Sequence, residues 1–201
     1  MKAFNGFEAK KQGGSREILP VGGYVCEIKS AKEEVYNSSN GEFRFLVLAI
    51  DVAEGEYAGF WKKDYDGNTA DDKKWRGTFR ISVPKDDGTE QDGWTKRTFG
   101  NFIWAVQESN PGYVWNWDEK TLKGKKIGII YRNREWEMNG NTGWTTEAGG
   151  AICVEDCRAG KFKLLKDRPL KNRPASSGSN GSSGYSASSP NVAADEDDLP
   201  F

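Results

Sequence analysis

The chain has 201 residues, of which 36% are apolar and 29% charged, with 29 basic residues against 30 acidic ones. Histidine is absent, which excludes histidine as a general base, as the partner of a serine or cysteine nucleophile, and as a metal ligand. Three cysteines without a Cys-x-x-Cys motif favour neither a disulfide scaffold nor a four-cysteine zinc site. We therefore expect no cofactor, no metal and no enzymatic activity, and a cytoplasmic protein.

The N-terminal residues 1–19 are polar and contain several glycines, and we interpret them as an arm that precedes the folded body. Residues 1–14 lack the apolar core of a signal peptide, so we expect none. No stretch of the chain approaches the ~18 uncharged apolar residues of a transmembrane helix, so no membrane span is expected either.

Two strands are predicted at the start of the body. In residues 24–36, Tyr24, Cys26 and Ile28 recur with a period of two and Val35 and Tyr36 follow, which predicts one long strand. Residues 42–52 form a nearly continuous apolar run. The run is typical of a central strand buried on both faces. A turn signal at 37–41 joins the two into a hairpin. Phe60-Trp61 is predicted to open a third strand, which the polar, charged insertion 64–74 then interrupts.

One helix is predicted over 94–109. Its apolar residues recur at helical spacing, and we assign them to the core: Trp94, Phe99, Phe102, Ile103 and Val106. Beyond the helix, Trp115 and Trp117 alternate as in a short strand, and we interpret them as packing residues.

The last two strands are predicted over 125–137 and 144–152, with a hairpin loop at 139–143. The resulting order of three strands, one helix and two strands is that of the OB-fold, a five-stranded barrel with a helix between strands three and four. We therefore predict a mainly β, OB-fold-like nucleic-acid-binding domain over 20–170. The same order also fits another small α+β domain.

The composition changes at Lys171. Residues 175–191 hold eight serines and three glycines, and such a segment buries too little apolar surface to fold, so 171–192 is predicted to be a disordered linker. Residues 1–174 carry all 29 basic residues and 26 of the 30 acidic ones, and the other four acids follow. The body is thus mildly basic and the tail acidic, which favours a polyanion-binding body with an interaction tail.

An acidic interaction tip closes the chain over 193–201. Four acids there precede an apolar ending, so that Phe201 suits an apolar pocket while the acids suit its basic rim. The candidate partner-binding residues are Asp195, Glu196, Asp197, Asp198, Leu199, Pro200 and Phe201.

Two segments of the body, 60–80 and 131–144, interleave basic and aromatic residues. Binding of single strands without sequence preference needs this combination, because cations track the backbone and bases stack on aromatic faces. The candidate DNA-binding residues are Trp61, Lys62, Lys63, Tyr65, Lys73, Lys74, Trp75, Arg76, Arg80, Arg132, Arg134 and Trp136. The last three share one face of a strand. The alternatives are a core strand with a solvated charged loop for the first segment, and cross-strand packing for the second.

The tip resembles that of bacterial single-stranded DNA-binding proteins, whose acidic end closes in Ile/Leu-Pro-Phe. That family also joins an OB-fold body to a Gly/Ser-rich linker and a tip. The body departs from the family's usual sequence. Over about residues 1–170 it is instead similar to phage-encoded proteins with single-stranded DNA-binding character, through LPVGGYVCEI, FWKKDYDGNTADDKKWRGTFR, GWTKRTFGNFIWAVQESNPG and NGNTGWTT. The resemblance implies a role in phage DNA replication or recombination.

The sequence therefore predicts a protein that coats single-stranded DNA and recruits replication or recombination proteins through its tip, in the host cytoplasm if the protein is phage-encoded. The rival interpretation is a protein-interaction module. In that case the tip competes for host proteins that read such tips, and the body does not bind DNA.

Overall fold

The computed structural model describes residues 17–38, 41–70 and 72–170. The strands are β1 (Gly22–Ser38), β2 (Gly41–Val52), β3 (Thr78–Ser82), β4 (Lys126–Met138) and β5 (Asn141–Ile152). The helices are α1 (Phe60–Gly67), α2 (Glu90–Ser109) and α3 (Val154–Arg158), and a 3-10 turn spans Glu119–Leu122. The chain divides after Leu170 into two units. The second unit, with the predicted linker and tip, lies outside the described residues.

The five strands form one antiparallel sheet in the order β3-β2-β1-β4-β5. The two edge strands, β3 and β5, come within 8 Å of each other by their Cα atoms. Among the described residues no ladder joins them, so the sheet is OB-like but not closed. The predicted mainly β fold of five strands, with a helix between the third and the fourth, is confirmed.

Apolar side chains of the inner sheet face, of α1 and of α2 form one core. The central strands contribute Cys26, Ile28, Leu46, Leu48, Ile50 and Val52. Burial of each large apolar side chain contributes about 1.5–3 kcal/mol to folding. Leu19, the last residue of the predicted arm, is fully buried in this core, and its carbonyl accepts a hydrogen bond from Thr146.

The prediction that Phe60 and Trp61 open a strand is wrong, because these residues begin α1 and the third strand begins at Thr78. Gly59 precedes the helix with φ 72° and offers no capping side chain. The carboxylate of Asp51 accepts a hydrogen bond from the Trp61 amide instead, at 2.9 Å, and so satisfies a free N–H of the first turn. The residue that stabilises the start of α1 thus lies at the end of β2. The local pattern of residues 60–67 therefore does not indicate the helix.

Two element boundaries also differ from the prediction. Helix α2 begins at Glu90, before the predicted Trp94, because the hydroxyl of Thr89 accepts a hydrogen bond from the Asp92 amide and caps the helix. The β4–β5 turn is shorter than predicted, since only Asn139 and Gly140 lie between the strands. Both have positive φ, 53° and 78°, as a tight two-residue hairpin turn requires.

None of the helices in the described part of the chain has the length and apolar character of a membrane span.

Candidate nucleic-acid interface

The outer face of β2 carries an aromatic strip that the core does not use. Successive side chains of a strand point to opposite faces. Because Leu46 and Leu48 face the core, Phe43, Phe45 and Val47 lie on the outer face. The apolar run that predicts a strand buried on both faces therefore serves the core with one set of side chains and an outer surface with the other.

Strand pairing places cations and a further ring beside this strip. Lys32 of β1 and Arg80 of β3 both pair with Val47, so the three form one row across the sheet. Tyr36 pairs with Phe43, and its ring makes an edge contact with Phe45 at 5.7 Å between centroids. We call this surface the aromatic face and define it by Lys32, Glu34, Tyr36, Phe43, Phe45, Val47, Arg80 and Lys85.

Two cations of the aromatic face, Lys85 and Arg80, lie over its rings. The ammonium group of Lys85 lies 4.4 Å from the centroid of the Phe43 ring, and the guanidinium group of Arg80 lies 5.8 Å from that of Tyr36. Lys85 is held in place from α2, because the buried carboxylate of Asp92 accepts a hydrogen bond from its amide at 2.7 Å. Aromatic faces with adjacent cations are the combination on which single-stranded nucleic acids bind.

One carboxylate, that of Glu34, lies among these cations. It pairs with Lys32 at 2.5 Å, accepts a hydrogen bond from the Tyr36 hydroxyl at 2.5 Å, and lies 3.9 Å from Arg80. The hydrogen bonds from Lys32 and then from Tyr36 lower the pKa of Glu34 below its ordinary value. The same bond to Glu34 raises the pKa of Tyr36. Glu34 is therefore ionised, and Tyr36 neutral, at neutral pH.

The outer face of the β4–β5 hairpin carries the second group of predicted residues, Arg132, Arg134 and Trp136. Glu147 of β5 pairs with the first two, at 3.0 Å and 3.6 Å, and Arg168 lies 3.4 Å from the same carboxylate. Three arginines around one glutamate leave this hairpin surface cationic.

The three residues of the hairpin are not equally accessible. The side chain of Arg132 is 19% exposed, whereas that of Arg134 is 54% exposed. Trp136 packs on Gly143 of the opposite strand, where any added Cβ would come within 2.8 Å of the ring. The hairpin thus combines the predicted cationic stripe with the cross-strand packing that is its alternative, and Arg134 is its most accessible cation.

The aromatic residues of the predicted DNA-binding segment 60–80 are more buried than the sequence predicts. Trp61 is 7% exposed and lies in the core, so its ring offers no face to a base. Trp75 is half-buried against the core and donates its indole N–H to the carbonyls of Ile50 and Gly77. The ring centroids of Tyr65 and Trp75 are 5.8 Å apart, and the ammonium group of Lys73 lies 4.5 Å from the centroid of the Tyr65 ring.

The remaining predicted cations divide between α1 and β3. Lys62 and Lys63 are exposed on α1, and Lys62 forms an ion pair with Asp66. Lys74 and Arg76 are exposed in the segment that leads into β3, and Arg76 lies 3.8 Å from Asp64. Arg80, on β3, belongs to the aromatic face.

Of the eight residues of the aromatic face, the sequence predicts only Arg80 as a DNA-binding residue and does not indicate the other seven: Lys32, Glu34, Tyr36, Phe43, Phe45, Val47 and Lys85. The period-two alternation of Phe43, Phe45 and Val47 against the core leucines is visible in the sequence. It was hidden inside a continuous apolar run. No sequence signal places Arg80 beside Tyr36, because that contact requires the pairing of three strands.

The two tryptophans beyond α2 behave differently from each other. Trp115 packs against the core, as predicted. The same prediction is wrong for Trp117, which is 79% exposed and adopts φ 65°, with its ring nearly parallel to that of Phe99 at 6.5 Å between centroids. Trp117 belongs neither to the aromatic face nor to the hairpin stripe.

Among the described residues no cluster of three or more Cys, Asp or Glu side chains is arranged to hold a metal ion. The sequence matches no model of a known protein family and no curated protein.

Proposed function

We propose that the protein binds single-stranded DNA without sequence preference and without catalysis, through the aromatic face. The observation that carries the proposal is the pair of Tyr36 and Phe43 rings on the outer face of the sheet, with Tyr36 packed against the buried Phe45, bordered by Lys32, Arg80 and Lys85. In OB-folds, the face of strands two and three and the adjoining hairpin loops bind oligonucleotides. The aromatic face covers the outer side of β2 and β3 and continues onto β1, which supplies Lys32, Glu34 and Tyr36.

The hairpin stripe extends the proposed interface. Arg134 of the hairpin is exposed, Arg168 of the segment after α3 lies beside the same Glu147, and guanidinium groups suit the phosphates of a flexible nucleic-acid strand. Phosphate contacts supply most of the affinity of a protein that binds without sequence preference. We assign the rings of Tyr36 and Phe43 to base stacking and the hairpin to phosphate contact.

The tip, 193–201, completes the proposed function. Its acids and Phe201 suit the recruitment of replication or recombination proteins, while the body coats the strand. Such a role in phage DNA replication or recombination places the protein in the host cytoplasm. This part of the proposal rests on the sequence alone, because the tip lies outside the described residues.

Titration of a labelled dT oligonucleotide of ~40 nucleotides with the full chain, followed by fluorescence anisotropy, tests the proposal. We expect binding that weakens with salt, with a log–log slope of about −2 to −4 for three to six phosphate contacts. Duplex DNA of the same length should bind more weakly, because its bases cannot reach the rings. Absence of binding at low salt would contradict the proposal and favour the rival function, a protein-interaction module.

A further inference from the structure

Glu34 is the one acidic side chain among the residues that define the aromatic face, and its contacts are all with groups that a nucleic-acid strand would use. It pairs with Lys32, accepts the hydroxyl hydrogen of Tyr36, and lies 3.9 Å from Arg80. Its side chain is 22% exposed, while those of Lys32 and Arg80 are 69% and 58% exposed. The carboxylate thus lies lower on the surface than the cations that converge on it.

Register explains why these groups meet. Lys32, Val47 and Arg80 form one row across the sheet, and Glu34 and Phe45 form part of the next. The Arg80 guanidinium group extends from β3 across β2 until it donates a hydrogen bond to the Tyr36 hydroxyl at 3.4 Å. Two cations from two strands therefore share one carboxylate over the outer surface of β2.

A carboxylate and a phosphate compete for the same cations, because both accept charge-assisted hydrogen bonds from lysine and arginine. A DNA strand that approaches the aromatic face meets Lys32 and Arg80 already paired with Glu34. Phosphate binding there requires one or both cations to exchange the carboxylate for the phosphate.

We propose that Glu34 occupies the place of a DNA phosphate in the free protein and that strand binding displaces it from Lys32 and Arg80. This inference rests on the proposed function and adds to it a residue that limits affinity. The exchange also moves the groups that cover Phe45, since Tyr36 contacts both Phe45 and Glu34. Phosphate capture by Arg80 and exposure of the Phe45 ring are then two parts of one rearrangement.

The test compares Glu34→Gln with Glu33→Gln in the full chain, by titration of a dT oligonucleotide at low salt. The first substitution keeps the size of the side chain and its ability to accept the Tyr36 hydrogen bond, but it removes the charge. Glu33 is the matched control, because it is adjacent in sequence, lies on the other face of β1 and pairs with Arg44 instead. Both variants change the net charge equally, so their difference reports the local contact.

We expect Glu34→Gln to bind the strand about two- to fivefold more tightly than Glu33→Gln, the range that an exposed ion pair supports. In an Arg80→Ala background the difference should shrink, because one of the two cations is then absent. Equal affinities of the two glutamine variants, or weaker binding by Glu34→Gln, would overturn the inference while the binding function stands. Failure of the unmodified chain to bind would overturn both, and that result is read in the same titration.

Discussion

The indole N–H of Trp61 donates a hydrogen bond to the hydroxyl of Tyr131, 3.1 Å away, and both residues are buried. The two rings also stack, with their centroids 6.3 Å apart. Burial raises the pKa of the Tyr131 hydroxyl, which stays neutral and available to accept the bond. This contact joins α1 to β4 and makes Trp61 a residue of the core.

Trp61→Phe should therefore lower the stability of the fold and leave the binding of single-stranded DNA unchanged. The variant leaves a buried hydroxyl without this partner, which costs about 1–3 kcal/mol in the free energy of unfolding. Urea unfolding measures the loss, and the double variant with Tyr131→Phe should recover part of it, because neither polar group then remains. If Trp61→Phe left stability unchanged but weakened DNA binding, Trp61 would have to be assigned to the DNA interface and not to the core.

Tyr36→Ala should weaken strand binding without unfolding the protein. Loss of one stacking ring costs about 1–3 kcal/mol in binding free energy. The matched control is Trp117→Ala, which removes a more exposed ring from a loop outside the aromatic face. Anisotropy titrations of both variants should show a higher Kd for Tyr36→Ala and an unchanged Kd for Trp117→Ala. Equal effects of the two variants would mean that exposed aromatic side chains contribute to DNA binding whether or not they lie on the aromatic face.

Arg134→Ala should reduce the salt dependence of binding. If Arg134 neutralises one phosphate, its removal changes the log–log slope by about 0.7 toward zero. Arg97→Ala is the control, since Arg97 lies on α2 beside Trp94 and outside both proposed binding surfaces. The slopes come from titrations at four or more salt concentrations. A slope that changes equally in both variants would assign the effect to net charge and not to the hairpin.

Glu54→Gln should alter the response of the fold to acid. Hydrogen bonds from Arg158 and then Lys126 lower the pKa of Glu54 from 4.5 to about 2, so the folded protein favours the ionised carboxylate. The stability that this carboxylate supplies is complete above about pH 4.5 and is lost as the pH falls toward 2.

Urea midpoints of the two proteins, measured from pH 7 down to pH 2, check this prediction. The variant should be less stable than the parent at neutral pH, and the difference should close as the pH falls. Glu56→Gln, which removes the same charge from an exposed residue of the same loop, is the matched control. A gap between Glu54→Gln and the parent that stays constant with pH would contradict the assignment of the ion pairs.

Phe201→Ala should abolish capture of proteins that read the tip and leave DNA binding intact. The substitution removes the apolar anchor while Asp195 to Asp198 remain. A pull-down beside a DNA titration separates the two functions, with Tyr185→Ala as a control that removes the one aromatic side chain of the predicted linker. Undiminished capture by Phe201→Ala would show that the acids alone suffice.

Local patterns in the sequence determined β1, β2, β4, β5 and α2, but not β3. The period-two spacing of Tyr24, Cys26 and Ile28, the apolar run in 42–52 and the Asn139-Gly140 turn each depend on neighbouring residues, so they are visible without a fold. For the same reason the sequence indicated cations and aromatics in abundance. It did not indicate which of them face outward.

Only the tertiary structure decided which rings are exposed. Trp61 is buried because Asp51, at the end of another strand, caps its helix and Tyr131 receives its indole N–H. Tyr36 and Arg80 meet because β1, β2 and β3 pair in one register. Contacts between residues 44 or 70 positions apart have no local signature. The sequence therefore determined that cations and aromatic side chains are abundant, and the pairing of β1, β2 and β3 determined which of them lie together on the aromatic face.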